Sequence, residues 1–206
     1  MYFTKFSLIL IFLLTLTSCS DNKTSSSSAT TGSGGYQGGE TVDGYTLPPM
    51  PPKTQNDATL LGIDTNNNGI RDDVEIYIYN RFQGYTNSKV EREIAMQYAK
   101  TATQLIQSPE TAYEDKKHEI EDRALDCKWY YYDTYLKNVT YSEGLKYRME
   151  HDVLDDRLDD AIFNTKDRLK AYFKYNASMS GHVFSDRIAV KEACDFDVDA
   201  LIEGTL

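Results

Sequence analysis

The residues best suited to chemistry lie in one run, Asp64-Thr65-Asn66-Asn67-Asn68-Gly69-Ile70-Arg71-Asp72-Asp73-Val74-Glu75. Carboxylates and amides dominate it, so its chemistry is that of oxygen ligands for a hard cation. Nucleophilic or general-base chemistry has less to work with. His118, His151 and His182 stand apart in the chain, and none has a His, Cys or carboxylate partner in a catalytic or zinc spacing. His118 sits among Lys116, Lys117 and Glu119, the composition of a solvated face. His151 and Asp155 are one helical turn apart, in a stretch whose many aspartates read as a charged outer face. Ser180-Gly181-His182 lacks the nucleophile-elbow pattern.

The oxygen-rich run resembles the twelve-residue EF-hand loop. That resemblance implies calcium as cofactor. Asp64, Asn66 and Asn68 would bind at positions one, three and five, and the carbonyl of Ile70 at seven. Asp72 at nine would act directly or through water, and Glu75 at twelve through both oxygens. Gly69 at six allows the sharp turn. Two features depart from the family. Position eight is normally aliphatic and here is Arg71, and the upstream Thr59–Ile63 is too short and Gly-broken for an entering helix. Both point to a solitary loop with a structural ion of modest affinity, about 10⁻⁴–10⁻³ M as in extracellular modules. The competing expectation is an Asn/Gly turn that caps a helix.

The chain opens with Lys5 ahead of the apolar run Leu8–Leu14, which is too short to span a bilayer. It has the length of a signal-peptide core. The segment ends Leu16-Thr17-Ser18-Cys19, which resembles the lipobox of bacterial lipoproteins. The resemblance implies cleavage before Cys19, lipid on its thiol and anchoring to a membrane of the cell envelope. Ser20, where enteric bacteria use aspartate for inner-membrane retention, leans towards the outer membrane. Loss of residues 1–18 removes Lys5 and takes the net charge from −10 to −11. Such an acidic chain repels nucleic acid and suits cations or basic partners. Cys127 and Cys194 then remain as a candidate disulfide, since the compartment permits one; two buried thiols are the alternative.

Residues 19–53 read as a Ser/Gly/Pro-rich linker. A coil of this kind has a root-mean-square span of roughly 30–35 Å. Residues 54–206 read as an all-α bundle of about four to five helices entered through the loop 64–75. Helices are expected at Asp72–Phe82 and Ser88–Gln107, the second with a capping box from Ser88 and Glu91. A third opens at Ser108-Pro109 and carries Ala124, Cys127 and Tyr131. A fourth, capped by Thr140 and Glu143, carries Leu145, Met149, Val153, Leu158 and Ile162; Asn164-Thr165 is a candidate interruption, and Leu169, Tyr172 and Phe173 continue the pattern. Ser185 is a cap for a last short helix. The aromatic run around Trp129, Tyr130 and Tyr132 is a candidate binding surface, with an aromatic core as the other reading. The function expected from all this is a binding or scaffolding module with a protein or glycan partner; the alternative is an envelope hydrolase with an acidic or His/Asp site.

Overall fold

A computed structural model describes residues 35–184 and 188–204. The signal segment, Cys19 and Ser185 lie outside them. The chain is predominantly α, but more divided than the expected four to five helices. Among the described residues there are eight α-helical segments: α1 Lys53–Asn56, α2 Asp72–Arg81, α3 Ser88–Gln107, α4 Lys117–Tyr135, α5 Tyr141–Glu150, α6 Asp156–Ile162, α7 Lys166–Ser178 and α8 Val198–Ile202. Single 3-10 turns lie at Pro109–Thr111 and Lys191–Ala193. No helix among the described residues is long and apolar enough to cross a membrane.

The axle is α3. It packs against α2, α4, α6, α7 and α8, which is why its stripe Val90, Ile94, Tyr98, Ala102, Leu105 and Ile106 is joined in the interior by Ala95, Ala99 and Thr101. Each large apolar side chain buried here contributes about 1.5–3 kcal/mol. Ser88 and Glu91 form no capping box. Asn87 is the N-cap residue, with no side-chain cap bond, and Glu91 is turned into the core. Nor does Ser108-Pro109 open a long helix: the 3-10 turn stops at Thr111, and α4 begins at Lys117 after Lys116 takes a left-handed conformation.

The expected fourth helix is three. The Thr140–Glu143 capping box is present and starts α5, but the helix ends at Glu150. The Tyr132 hydroxyl donates to the His151 carbonyl at 2.6 Å, and Asp155 restarts the chain as the N-cap of α6. The break changes the face of α5. Leu145 and Met149, expected inside, are 47% and 76% exposed, while Val153 and Leu158 beyond the break are buried. Thr165 then caps α7, as the Asn164-Thr165 interruption suggests.

Part of the expected linker is folded. Strands β1 Thr41–Val42 and β2 Tyr45–Thr46 pair antiparallel, with Val42 opposite Tyr45. The turn is Asp43-Gly44, both at positive φ, the two-residue pattern that matches strand twist. Val42 and Leu47 are buried against Tyr79 of α2, and Tyr45 stacks on the Tyr79 ring with centroids 5.3 Å apart. Asp43 is ion-paired to Arg92 of α3. In the sequence, the surrounding Gly, Ser and Pro content outweighs this short hairpin signal.

Cys127 and Cys194 are disulfide-bonded, with α-carbons 4.8 Å apart. The bond ties α4 to the C-terminal segment. Gln97 of α3 holds that segment as well, donating to the Ala193 carbonyl at 2.8 Å and accepting from the Asp195 N–H at 3.0 Å.

Candidate metal centre

The loop turns tightly on itself. Asn67 and Gly69 both take positive φ. Asp64 turns its carboxylate inward, where its two oxygens accept from the backbone N–H groups of Asn68 at 3.2 Å and Gly69 at 2.9 Å. Asn66 and Asn68 both point their amides at the Glu75 carboxylate. Asn66 Nδ2 lies 3.3 and 3.2 Å from its two oxygens, and Asn68 Nδ2 bonds to Oε1. Their oxygens are turned the other way, Asn66 Oδ1 accepting from the Asn68 N–H at 3.2 Å and Asn68 Oδ1 from the Ile70 N–H at 2.9 Å, so ligation of an ion by these amides requires half a turn of each and the loss of those bonds. Asn66 and Asn68 are brought to Glu75, while Asp64 and the buried Ile70 lie on the same turn.

Asp72 is placed differently. Its two oxygens take the Thr65 N–H at 2.9 Å and the Thr65 hydroxyl. It closes the loop onto the start of α2, and its expected place as a ligand is taken by that role. Among the described residues no three His, Cys, Asp or Glu side chains are grouped to hold a metal by themselves. The donor set of this loop rests on two carboxylates, two amides and a backbone carbonyl.

The donors fit a hard cation on one observation in particular. Glu75 is fully buried in the first turn of α2. Its partners are two amides and the Tyr45 hydroxyl, and among the described residues no lysine or arginine neutralises it. Burial pushes its carboxyl above the ordinary range, and the hydrogen bonds only partly offset this. A buried carboxylate without a counter-charge is costly, and a cation at this point removes that cost.

Arg71, the departure at position eight, anchors the loop to the bundle. It is buried and donates to the carbonyls of Ile162 at 2.7 Å and Ala161 at 2.8 Å, which end α6. A guanidinium suits a helix C-terminus, where unpaired carbonyls and the helix dipole favour positive charge. Asp73 accepts from the same guanidinium at 2.7 Å. The loop therefore docks on a helix end where a paired loop would bridge to its twin. Upstream, fully buried Arg168 of α7 gathers the entering chain. It donates to the carbonyls of Asn56, Thr59 and Leu60 and to Asp57 and Asn164. Gly62, at φ +67°, lies where a β-carbon would collide with both arginines.

The aromatic surface is only partly a surface. Tyr132 is 2% exposed and belongs to the core, and Tyr130 is half-buried, donating to Asp199 of α8 at 2.8 Å. Trp129 stays accessible with the Arg148 guanidinium 5.4 Å above its ring. His151 does not pair with Asp155. The Asp155 carboxylate takes Arg81 and Arg157, while His151 Nδ1 lies 3.3 Å from Glu91 Oε1. Glu91 is fully buried, and the hydroxyls of Tyr131 and Tyr147 reach the same oxygen at 3.1 and 2.9 Å. Its partners are 40 to 60 residues away in the chain, so no local pattern announces them.

No family model, no curated protein and no solved structure matches the chain.

Proposed function

We propose that this chain is a cell-envelope lipoprotein, anchored through lipid on Cys19, whose helical domain is stabilised by one calcium ion in the loop 64–75 and serves as a binding or scaffolding module. The observation that carries the calcium reading is Glu75, a buried carboxylate with no cationic side chain against it among the described residues. Asp64, Asn66, Asn68, the Ile70 carbonyl and Glu75 would hold the ion, and its charge would offset the burial of Glu75. The Cys127–Cys194 disulfide supports export, since such bonds persist in oxidising compartments. The module reading is supported by the outer face of α5, where Tyr141, Leu145 and Met149 are exposed at helical spacing. The partner is a protein or a glycan of the envelope.

The test is a thermal melt of the mature chain in millimolar calcium and then in chelator, with magnesium as control. At 1 mM calcium and a dissociation constant of about 10⁻⁴–10⁻³ M the ion adds about 0.4–1.4 kcal/mol, which is roughly a 1–6 °C rise for a domain of this size. Glu75→Gln should abolish the rise. An intact fold with no rise in the wild type would reduce the loop to a helix-capping turn.

A further inference from the structure

Tyr45 stands outside the loop in sequence yet reaches its ligand set. Its hydroxyl donates to Glu75 Oε2 at 3.2 Å and accepts from Asn66 Nδ2 at 3.0 Å and Asn68 Nδ2 at 3.2 Å. Three of the side chains expected to face the ion thus meet at one phenol oxygen. The phenol is fixed from behind, because its ring stacks on Tyr79 of α2, one turn beyond Glu75. The hairpin that carries it is clasped to the same helix, where the Asn80 amide donates to the Tyr36 carbonyl at 2.9 Å and accepts the Tyr36 N–H. A two-stranded hairpin is marginal alone, so contacts to α2, to the loop and to Arg92 of α3 decide whether it stays closed.

We propose that Tyr45 is a positioning residue of the calcium site, holding the Glu75 carboxylate through its hydroxyl, and that ion occupancy in turn holds the 36–49 hairpin closed on α2. The inference rests on the calcium reading. It makes the point where the chain enters the domain sensitive to the ion.

Tyr45→Phe keeps the ring and its stacking and removes only the hydroxyl. Calcium affinity by calorimetry should weaken about 3–10-fold, the usual worth of one hydrogen bond, while the melting temperature in chelator stays close to that of the wild type. Terbium, used in place of calcium, should emit on tyrosine excitation in the wild type and much less in the variant. Amide exchange across residues 36–47 should slow on adding calcium in the wild type, and less so in the variant. If the wild type binds calcium and the variant matches it in affinity and terbium emission, the role of Tyr45 is overturned and the calcium site stands. If the wild type binds neither ion, the calcium reading fails first and this inference falls with it.

Discussion

Glu75 and Glu91 are both fully buried carboxylates, and they differ in what compensates them. Glu91 has two tyrosine hydroxyls and the His151 imidazole within 3.3 Å. Burial still outweighs these partners and raises its carboxyl above the ordinary 4.5. The folded state therefore holds this proton more tightly than the unfolded chain does. The resulting stability is full below pH 4.5 and is lost as pH rises through the folded value. Glu91→Gln keeps an acceptor for both hydroxyls and cannot ionise. Relative to wild type it should gain stability between pH 4 and pH 8, by about 1.4 kcal/mol for each tenfold change in proton affinity. Urea melts at the two pH values measure this; an unchanged difference would show that the network holds Glu91 at its ordinary value.

The same scale shows what sequence reading reaches. Asn66 and Asn68 meet Glu75 because a single twelve-residue turn carries all three. Tyr45, Glu91 and Arg168 were missed because their partners come from distant segments. Arg168 has the widest span, joining α7 to carbonyls more than 100 residues earlier. Arg168→Met leaves those carbonyls unsatisfied, while Asp57 keeps Lys53, and should cost about 3–5 kcal/mol in denaturant unfolding. A loss under 1 kcal/mol would mean that water replaces the guanidinium freely.

At the scale of elements, local signals succeeded where the chain acts locally. Thr140–Glu143 is a capping box because both groups are exposed and free to reach each other. The Ser88–Glu91 pair has the same spacing and fails, since the interior takes Glu91 for Tyr131 and Tyr147. The apolar period through residues 145–162 suggested one helix and hid the break at His151. Groups from distant segments mark that break, the Tyr132 hydroxyl at the His151 carbonyl and the Arg81 guanidinium at the Asp152 carbonyl. The outer face of α5 follows from it. Leu145→Lys with Met149→Lys should change stability by no more than about 0.5 kcal/mol, measured by chemical denaturation. A large loss would place that face inside an assembly or core and contradict its role as a free surface.

For the whole molecule, two ties close the chain on itself. The disulfide joins residues 67 apart, and a loop of that length gives about 4 kcal/mol in the chain-entropy account. Replacing Cys127 and Cys194 by serine should lower stability by about 2–5 kcal/mol, most visibly in the C-terminal segment. The other tie is the hairpin. A chain cut at residue 54, the boundary that composition suggests, loses Tyr36, Val42, Tyr45 and Leu47 and with them the cover over Tyr79 and the contact to Glu75. It should bind calcium more weakly than the mature chain. The most direct test of the central claim is calorimetric titration of the mature chain with calcium, beside Glu75→Gln. The account predicts one site per chain in the wild type, with a dissociation constant near 10⁻⁴–10⁻³ M, and none in the variant. Equal heats in the two proteins would contradict it.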